Sequence, residues 1–256
     1  MHALGASEFV LIALAALAAG IVNAVAGGGT LITFPMMTAL GIPPVIANVT
    51  NSVALCPGYL GGTLAQWQDL RGQGRRIAWL VPTGILGGTV GGLLLLHTGE
   101  RIFAVLVPYL ILLASLLLAL QDPTKRWLTK RIEQHRARGA PTIAMVLPLA
   151  VSALYGGYFG AGLGVVMLAV LGITVDDTLT RLNALKQLLS LVINLAAAAY
   201  FIIAAPILWP AAAIMAFGAL VGGVVGGRLA GRIRSSTLRY SVVAVGVLVG
   251  GFYLLR

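Results

Sequence analysis

Asn183, Lys186 and Gln187 sit at i, i+3 and i+4 of one apolar stretch. On a helix that spacing brings an amide, an ammonium and a second amide to one face. Lys186 is the only charge well inside an apolar segment. A lysine at the bilayer centre costs about 2.5–3.5 kcal/mol on insertion scales, so it either serves a ligand or snorkels to the interface along its long stem. Two glycine clusters are the other chemical feature: Gly27, Gly28 and Gly29, preceded by Asn23, and Gly160, Gly162 and Gly164, preceded by Tyr155. Glycine breaks leave backbone N–H groups without helical partners, and in hydrocarbon those groups must be met by protein, water or substrate. Where a helix restarts after such a break, its positive dipole end favours an anion. The competing role is close helix packing. Thr50 and Asn51, near the start of another apolar segment, complete the candidate substrate-binding set.

What is missing narrows the chemistry further. The acidic residues Glu8, Asp69, Glu100, Asp122, Glu133, Asp176 and Asp177 all fall at segment ends or in connectors, as do His2, His97 and His135. No buried carboxylate or imidazole is placed for a proton relay. No His/Cys/carboxylate cluster suits a metal, and the single cysteine, Cys56, excludes an intrachain disulfide. There is no Walker A, G-x-S-x-G or H-E-x-x-H pattern. No catalytic residue, cofactor or metal is expected.

These residues need elements to hold them. Of 256 residues, 59% are hydrophobic and only 9% charged, far below the roughly 25% of soluble domains. Ten apolar segments are expected, at 8–26, 29–41, 46–67, 76–96, 102–120, 141–159, 163–173, 179–203, 208–227 and 237–255. Most approach the roughly 20 residues that span a hydrocarbon core. Segments 29–41 and 163–173 are too short to cross comfortably, and each follows a glycine cluster, the pattern of discontinuous helices. The stretch Met1–Ala6 has no Lys or Arg, so the first segment reads as a retained helix rather than a secretory signal.

The net charge of +10 resides mainly in three connectors: Arg71–Arg76, Gln121–Ala140 and Arg228–Arg239. Placement there points to membrane topology rather than nucleic acid. With those connectors cytoplasmic, ten crossings put both termini outside the cytoplasmic membrane. The expected fold class is all-α: a polytopic membrane protein with repeats at 1–120 and 141–256 joined by a basic linker at 121–140. The halves repeat one plan. Gly87-Gly88-Thr-Val-Gly91-Gly92 superposes on Gly222-Gly223-Val-Val-Gly226-Gly227 at an offset of 135, and Leu40-Gly41-Ile42 on Leu171-Gly172-Ile173 at 131. Five segments per half invert the second repeat relative to the first. Small residues four apart make flat packing faces, so the GGxxGG runs are expected to pack helices.

The stretch Gly20-Ile-Val-Asn23-Ala-Val-Ala-Gly27-Gly-Gly-Thr-Leu-Ile-Thr-Phe-Pro35, followed by Leu40-Gly41-Ile and Ala47-Asn48-Val-Thr50-Asn51, resembles the TauE/SafE family. Gly156-Gly-Tyr-Phe-Gly160-Ala-Gly162-Leu-Gly164, Leu171-Gly-Ile and Thr180-Arg-Leu-Asn183-Ala-Leu-Lys186 are similar to that family's second copy. The resemblance covers nearly the whole chain, and it implies a permease for sulfite or an organosulfonate. The expected partners are thus a small anion and membrane lipid. Two alternatives stay open at this level. One is an embedded enzyme or accessory subunit with no transport of its own, which predicts a catalytic constellation or a soluble partner docking on the basic linker. The other is a cation transporter holding Na⁺ on backbone carbonyls.

Overall fold

The computed structural model describes residues 5–25, 28–134, 143–229 and 235–255. Ten α-helices account for nearly all of them, with no strand among the described residues. They are α1 (Ala6–Val25), α2 (Thr30–Ala39), α3 (Pro44–Ala65), α4 (Gly74–Ala119), α5 (Gln121–Gln134), α6 (Ile143–Tyr158), α7 (Leu163–Thr174), α8 (Leu179–Ala204), α9 (Trp209–Leu229) and α10 (Ser235–Leu255). Five of them, α1, α4, α8, α9 and α10, are long and apolar enough to cross a membrane. Leu86 of α4, Ile203 of α8, Phe217 of α9 and Leu248 of α10 point outward, all more than two-thirds exposed. Apolar surface on that scale needs lipid rather than water against it.

Helix α4 joins the two expected segments 76–96 and 102–120. At 46 residues a straight helix would run about 69 Å, more than twice a hydrocarbon core. Its helical backbone is interrupted at Gly99 (φ 73°, ψ 167°), which divides it into two spans. Next to that break, the Glu100 carboxylate accepts a hydrogen bond from the Val45 N–H at 3.0 Å, at the start of α3. A carboxylate there satisfies an orphan donor and faces the positive end of α3. The polar linker also departs from expectation, since most of it is the helix α5.

Helices α2 and α7 have 10 and 12 residues, about 15 and 18 Å, too short for a full crossing. Each is joined to the preceding helix through one of the glycine clusters. Helix α1 packs chiefly on α9, and α6 packs on α4, while α3 and α8 meet between them. The glycine runs make these approaches possible. A methyl group on Gly91 would overlap the Leu154 carbonyl of α6, and one on Gly222 the Leu17 carbonyl of α1. Gly88 faces α8, where an added Cβ would stand 2.5 Å from the Ile193 carbonyl oxygen. Packing is therefore what both GGxxGG runs do.

The connectors sort onto two faces. On one, Arg76 and Arg181 pair with Asp177 at 2.5 and 2.8 Å, and Arg239 pairs with Asp122. On the other lie Gly99–Glu100 beside Val45, and Leu208, whose N–H donates to Thr50 Oγ1 at 3.2 Å. Trp67, Trp79 and Trp127 stand exposed toward the first face and Trp209 toward the second, as interfacial tryptophans do.

Substituting Gly91→Leu should lower the thermal midpoint in detergent by the equivalent of about 3 kcal/mol or prevent folding, because it drives a side chain into backbone. Gly251→Ala, with open space around its Cβ position, should leave the midpoint within about 1 °C of wild type.

Candidate substrate cavity

The two glycine breaks meet. Gly28 and Gly29 from the α1–α2 junction, and Gly160, Gly162 and Gly164 from the α6–α7 junction, line one cavity of about 260 Å³. Gly28 and Gly162 have positive φ, 93° and 75°, which L side chains adopt only with strain. The Gly162 conformation turns the chain into α7. Gly162 and Gly164 donate no backbone hydrogen bond among the described residues, so the start of α7 faces the cavity with unspent N–H groups. Gly27 lies outside the described residues.

Helix α8 supplies the polar wall. Asn183, Lys186 and Gln187 all line the cavity, as their spacing on one face requires. The Lys186 stem passes beside Gly164, whose Cβ position lies 3.9 Å from Lys186 Cδ. Asn183 Nδ2 donates to Gln66 Oε1 at 2.7 Å, tying α8 to the end of α3. Gln187 lies over Gly62 of α3, where an added Cβ would come within 2.6 Å of its Nε2. Asn23, near the end of α1, stands exposed into the same space.

Three expected site residues lie elsewhere, each spent on an internal hydrogen bond. Asn51 Oδ1 accepts from Thr33 Oγ1 at 2.6 Å, joining α3 to α2. Thr50 Oγ1 receives the Leu208 N–H, as above. Tyr155 Oη donates to the Ala161 carbonyl at 2.5 Å and so braces the second glycine break from outside the cavity. A buried polar group must find a partner, and these found theirs within the protein.

Other lining residues had weaker signals or none. Gly58, Tyr59 and Gln66 come from the second half of α3, where Gln66 is conspicuous as an amide in an apolar segment. Ser190 follows Gln187 by one turn of α8, is 2% exposed, and its Oγ has no partner. Gln121 and Lys125 of α5 close the end nearest the basic face. They belong to the linker, and nothing in its sequence shows that it folds back over a cavity. Gln121 Oε1 is also buried without a partner. An amide can be turned end for end, which would present its NH₂ instead.

The opposite end is shut by rings. Phe34, one turn into α2, packs edge-on against Phe159 at 5.3 Å and Phe103 at 6.4 Å between centroids. Phe103 meets Tyr158 at 5.7 Å. Phe34 and Phe103 are fully buried. The ring layer stands between the glycine breaks and the Gly99 face, and Gln121 and Lys125 lie at the cavity's basic-face end.

Its electrostatics are one-signed. Lys125 and Lys186 line it, and no carboxylate does among the described residues. Burial lowers the Lys125 pKa, the neighbouring Arg239 charge lowers it further, and Asp122 partly offsets both. Asp177 sits just outside, at the start of α8. Partial burial pushes its carboxyl upward, but hydrogen bonds from Arg76, the Thr178 N–H and Arg181 outweigh that and hold it below the usual carboxylate range.

A bundle with apolar outward faces, broken helices and a polar interior cavity is a polytopic membrane protein. The chain belongs to the TauE/SafE sulfite exporter family, whose model matches residues 12–253. It is a family of membrane transporters rather than enzymes. Among its relatives is a "Probable membrane transporter protein" of Haemophilus influenzae, 28% identical over 205 residues, 80% of this chain and 78% of that one. The "Probable membrane transporter protein YfcA" of Escherichia coli K12 is 25% identical over 238 residues, covering 91% and 85%. A Sinorhizobium "Probable membrane transporter protein ORF9" is 26% identical over 225 residues, covering 84% and 80%. No solved structure matches the chain significantly.

The Asp177 cluster sets a pH dependence. Its pKa is depressed on folding, so its contribution is present above the unfolded carboxylate value of about 3.9 and is lost as pH falls through the folded value. Asp177→Asn should therefore melt below wild type at pH 7, and the two melting curves should converge as the pH is taken below about 3.9.

Proposed function

We propose that this protein moves a small anion, a sulfur oxyanion such as sulfite or an organosulfonate, by alternating access across the cytoplasmic membrane. One observation carries the reading: both glycine breaks and two lysines converge on a cavity that no carboxylate lines among the described residues. The remaining unpaired N–H groups of α7, the amides of Asn183, Gln187 and Asn23, and the Lys186 ammonium would hold the anion's oxygens. A cation would find two ammoniums and a helix N-terminus there, all repulsive. Membership of a sulfite exporter family supports the substrate class.

The packing supports two inverted repeats, 1–120 and 141–256, with the linker 121–140 between them. Helix α1 on α9 mirrors α6 on α4, and each repeat brings one broken helix to the cavity. On this reading the basic face is cytoplasmic and both termini lie outside, supported by the Arg and Lys content of that face against Arg101 alone on the described part of the other. The cavity would then stand open to the cytoplasm with the Phe34–Phe103–Phe159 layer as its outer seal.

A second cavity of about 440 Å³ adjoins the first between α1, α3 and α9, sharing Asn23, Gly58, Gln66 and Gln187 with it. Leu55, Ala65, Ala219 and Val224 make its remaining wall largely apolar. It has room for the organic part of a sulfonate whose head group occupies the polar cavity.

Purified protein in liposomes should pass sulfite or an organosulfonate well above empty liposomes, and Lys186→Ala should cut that flux at least tenfold, by about 1.4 kcal/mol or more. Absence of flux for sulfite, thiosulfate, taurine and sulfoacetate alike would reject the substrate class. Gly223 borders the second cavity, and its Cβ position is open. Gly223→Leu should block the larger sulfonates while sulfite flux stays near wild type, read as competition between the two in one transport assay.

A further inference from the structure

We infer that the cavity is built for a doubly charged oxyanion, and that Lys125 of α5 is its second cationic ligand, opposite Lys186. The inference rests on the anion reading above. It adds the charge of the anion and a residue from outside the two repeats.

The case is one of charge matching in a confined space. Lys125 and Lys186 come from different helices and line the same 260 Å³. Neither ammonium makes an ion pair or hydrogen bond among the described residues, where the ion pairs are Arg76–Asp177, Arg181–Asp177 and Arg239–Asp122. The carboxylate one turn before Lys125 is therefore already claimed, by an Arg239 side chain that is 1% exposed. Two like charges are left facing one space of reduced dielectric, where their repulsion is much stronger than in water. A monoanion between them offsets one charge. A dianion offsets both and removes the repulsion between them.

Donors for the oxygens are also in excess of what one charge needs. The Ser190 hydroxyl is buried, unpartnered and on the cavity wall, and the Gly162 and Gly164 N–H groups are unspent. The class that fits is a compact inorganic dianion with three or four polar atoms around a central atom, which on the reading above is sulfur. Lys125 has no counterpart in the first repeat, because α5 belongs to the linker. It is a specificity-determining residue on the basic-face side only.

The test is ligand-induced thermal stabilisation of the full-length protein in detergent, which follows mass action on the folded state. Thiosulfate, which is doubly charged at neutral pH, and sulfite are titrated against methanesulfonate at fixed ionic strength and pH 7, so that Lys125, whose pKa burial lowers, keeps its charge. Wild type should half-saturate with at least one dianion at about a tenth of the methanesulfonate concentration or less. Lys125→Gln should reduce that preference about tenfold, the scale of one half-buried charge contact, and Lys125→Arg should restore it. Equal affinity for dianions and methanesulfonate in wild type would overturn the inference. So would a Lys125→Gln variant that weakens both alike, since that describes a general steering charge. If methanesulfonate binds and no dianion does, the anion reading survives and this inference fails. If no anion stabilises the protein, both fall together.

Discussion

Backbone polarity in a bilayer is the constraint on which this architecture turns. A helix that stops within the membrane leaves N–H and C=O groups that hydrocarbon cannot satisfy. The chain stops twice, before α2 and before α7, and brings both stops to one place. Enclosing them together gives the unsatisfied groups a shared polar interior. Everything that lines it follows from that: amides from α8, a hydroxyl from Ser190, and the end of α3 with Gln66. Had the two breaks faced lipid separately, each would have needed its own compensation.

Bringing them together requires close packing of helices around the outside. That is the work of the GGxxGG runs, where backbone meets backbone between α4 and α6 and between α9 and α1. Van der Waals contact at small residues is the main adhesive available when lipid competes equally for apolar side chains. The ion pairs among the described residues lie at the ends of the bundle, while Lys186 stands in the cavity. Arg76 and Arg181 on Asp177, and Arg239 on Asp122, fasten connectors of the same face to one another. Glu100 does the equivalent for α3 on the opposite face.

Much of this was legible in the sequence, and the exceptions have physical reasons. Hydropathy and glycine spacing locate the helices, the two short segments and the packing role of GGxxGG. The i, i+3, i+4 set Asn183, Lys186 and Gln187 correctly implies a common polar face. Periodicity says nothing about which polar groups already have partners, so Thr50, Asn51 and Tyr155 read as candidates although each is hydrogen-bonded within the fold. Distance along the chain hides Lys125 and Gln121. Their surroundings look like an ordinary solvated basic loop, and only the return of α5 over α7 brings them to the cavity. The polar run His97–Arg101 marks the boundary between segments 76–96 and 102–120, but it does not show that the helix continues through it with only Gly99 out of helical conformation.

The two ends of the cavity are not equivalent, although the helices around it pair in a mirrored way. Phe34 seals one end with Phe103 and Phe159. At the repeat offset of 131, the residue corresponding to Phe34 is Val165 of α7, which has no ring to close the other end. That end carries Gln66, Gln121 and Lys125 instead. A stacked aromatic layer is a dry, well-packed closure, with each edge-on ring pair adding about 0.5–1.5 kcal/mol beyond burial. A wall of amides and an ammonium stays hydrated. On the alternating-access reading, the state with the polar end open and the ring layer closed is then favoured in the absence of substrate. The opposite state must part three buried phenylalanines and dehydrate Lys125 or leave it behind. The energetic difference between the two states lies in those few side chains rather than in the helices, whose glycine-to-backbone contacts allow little rearrangement.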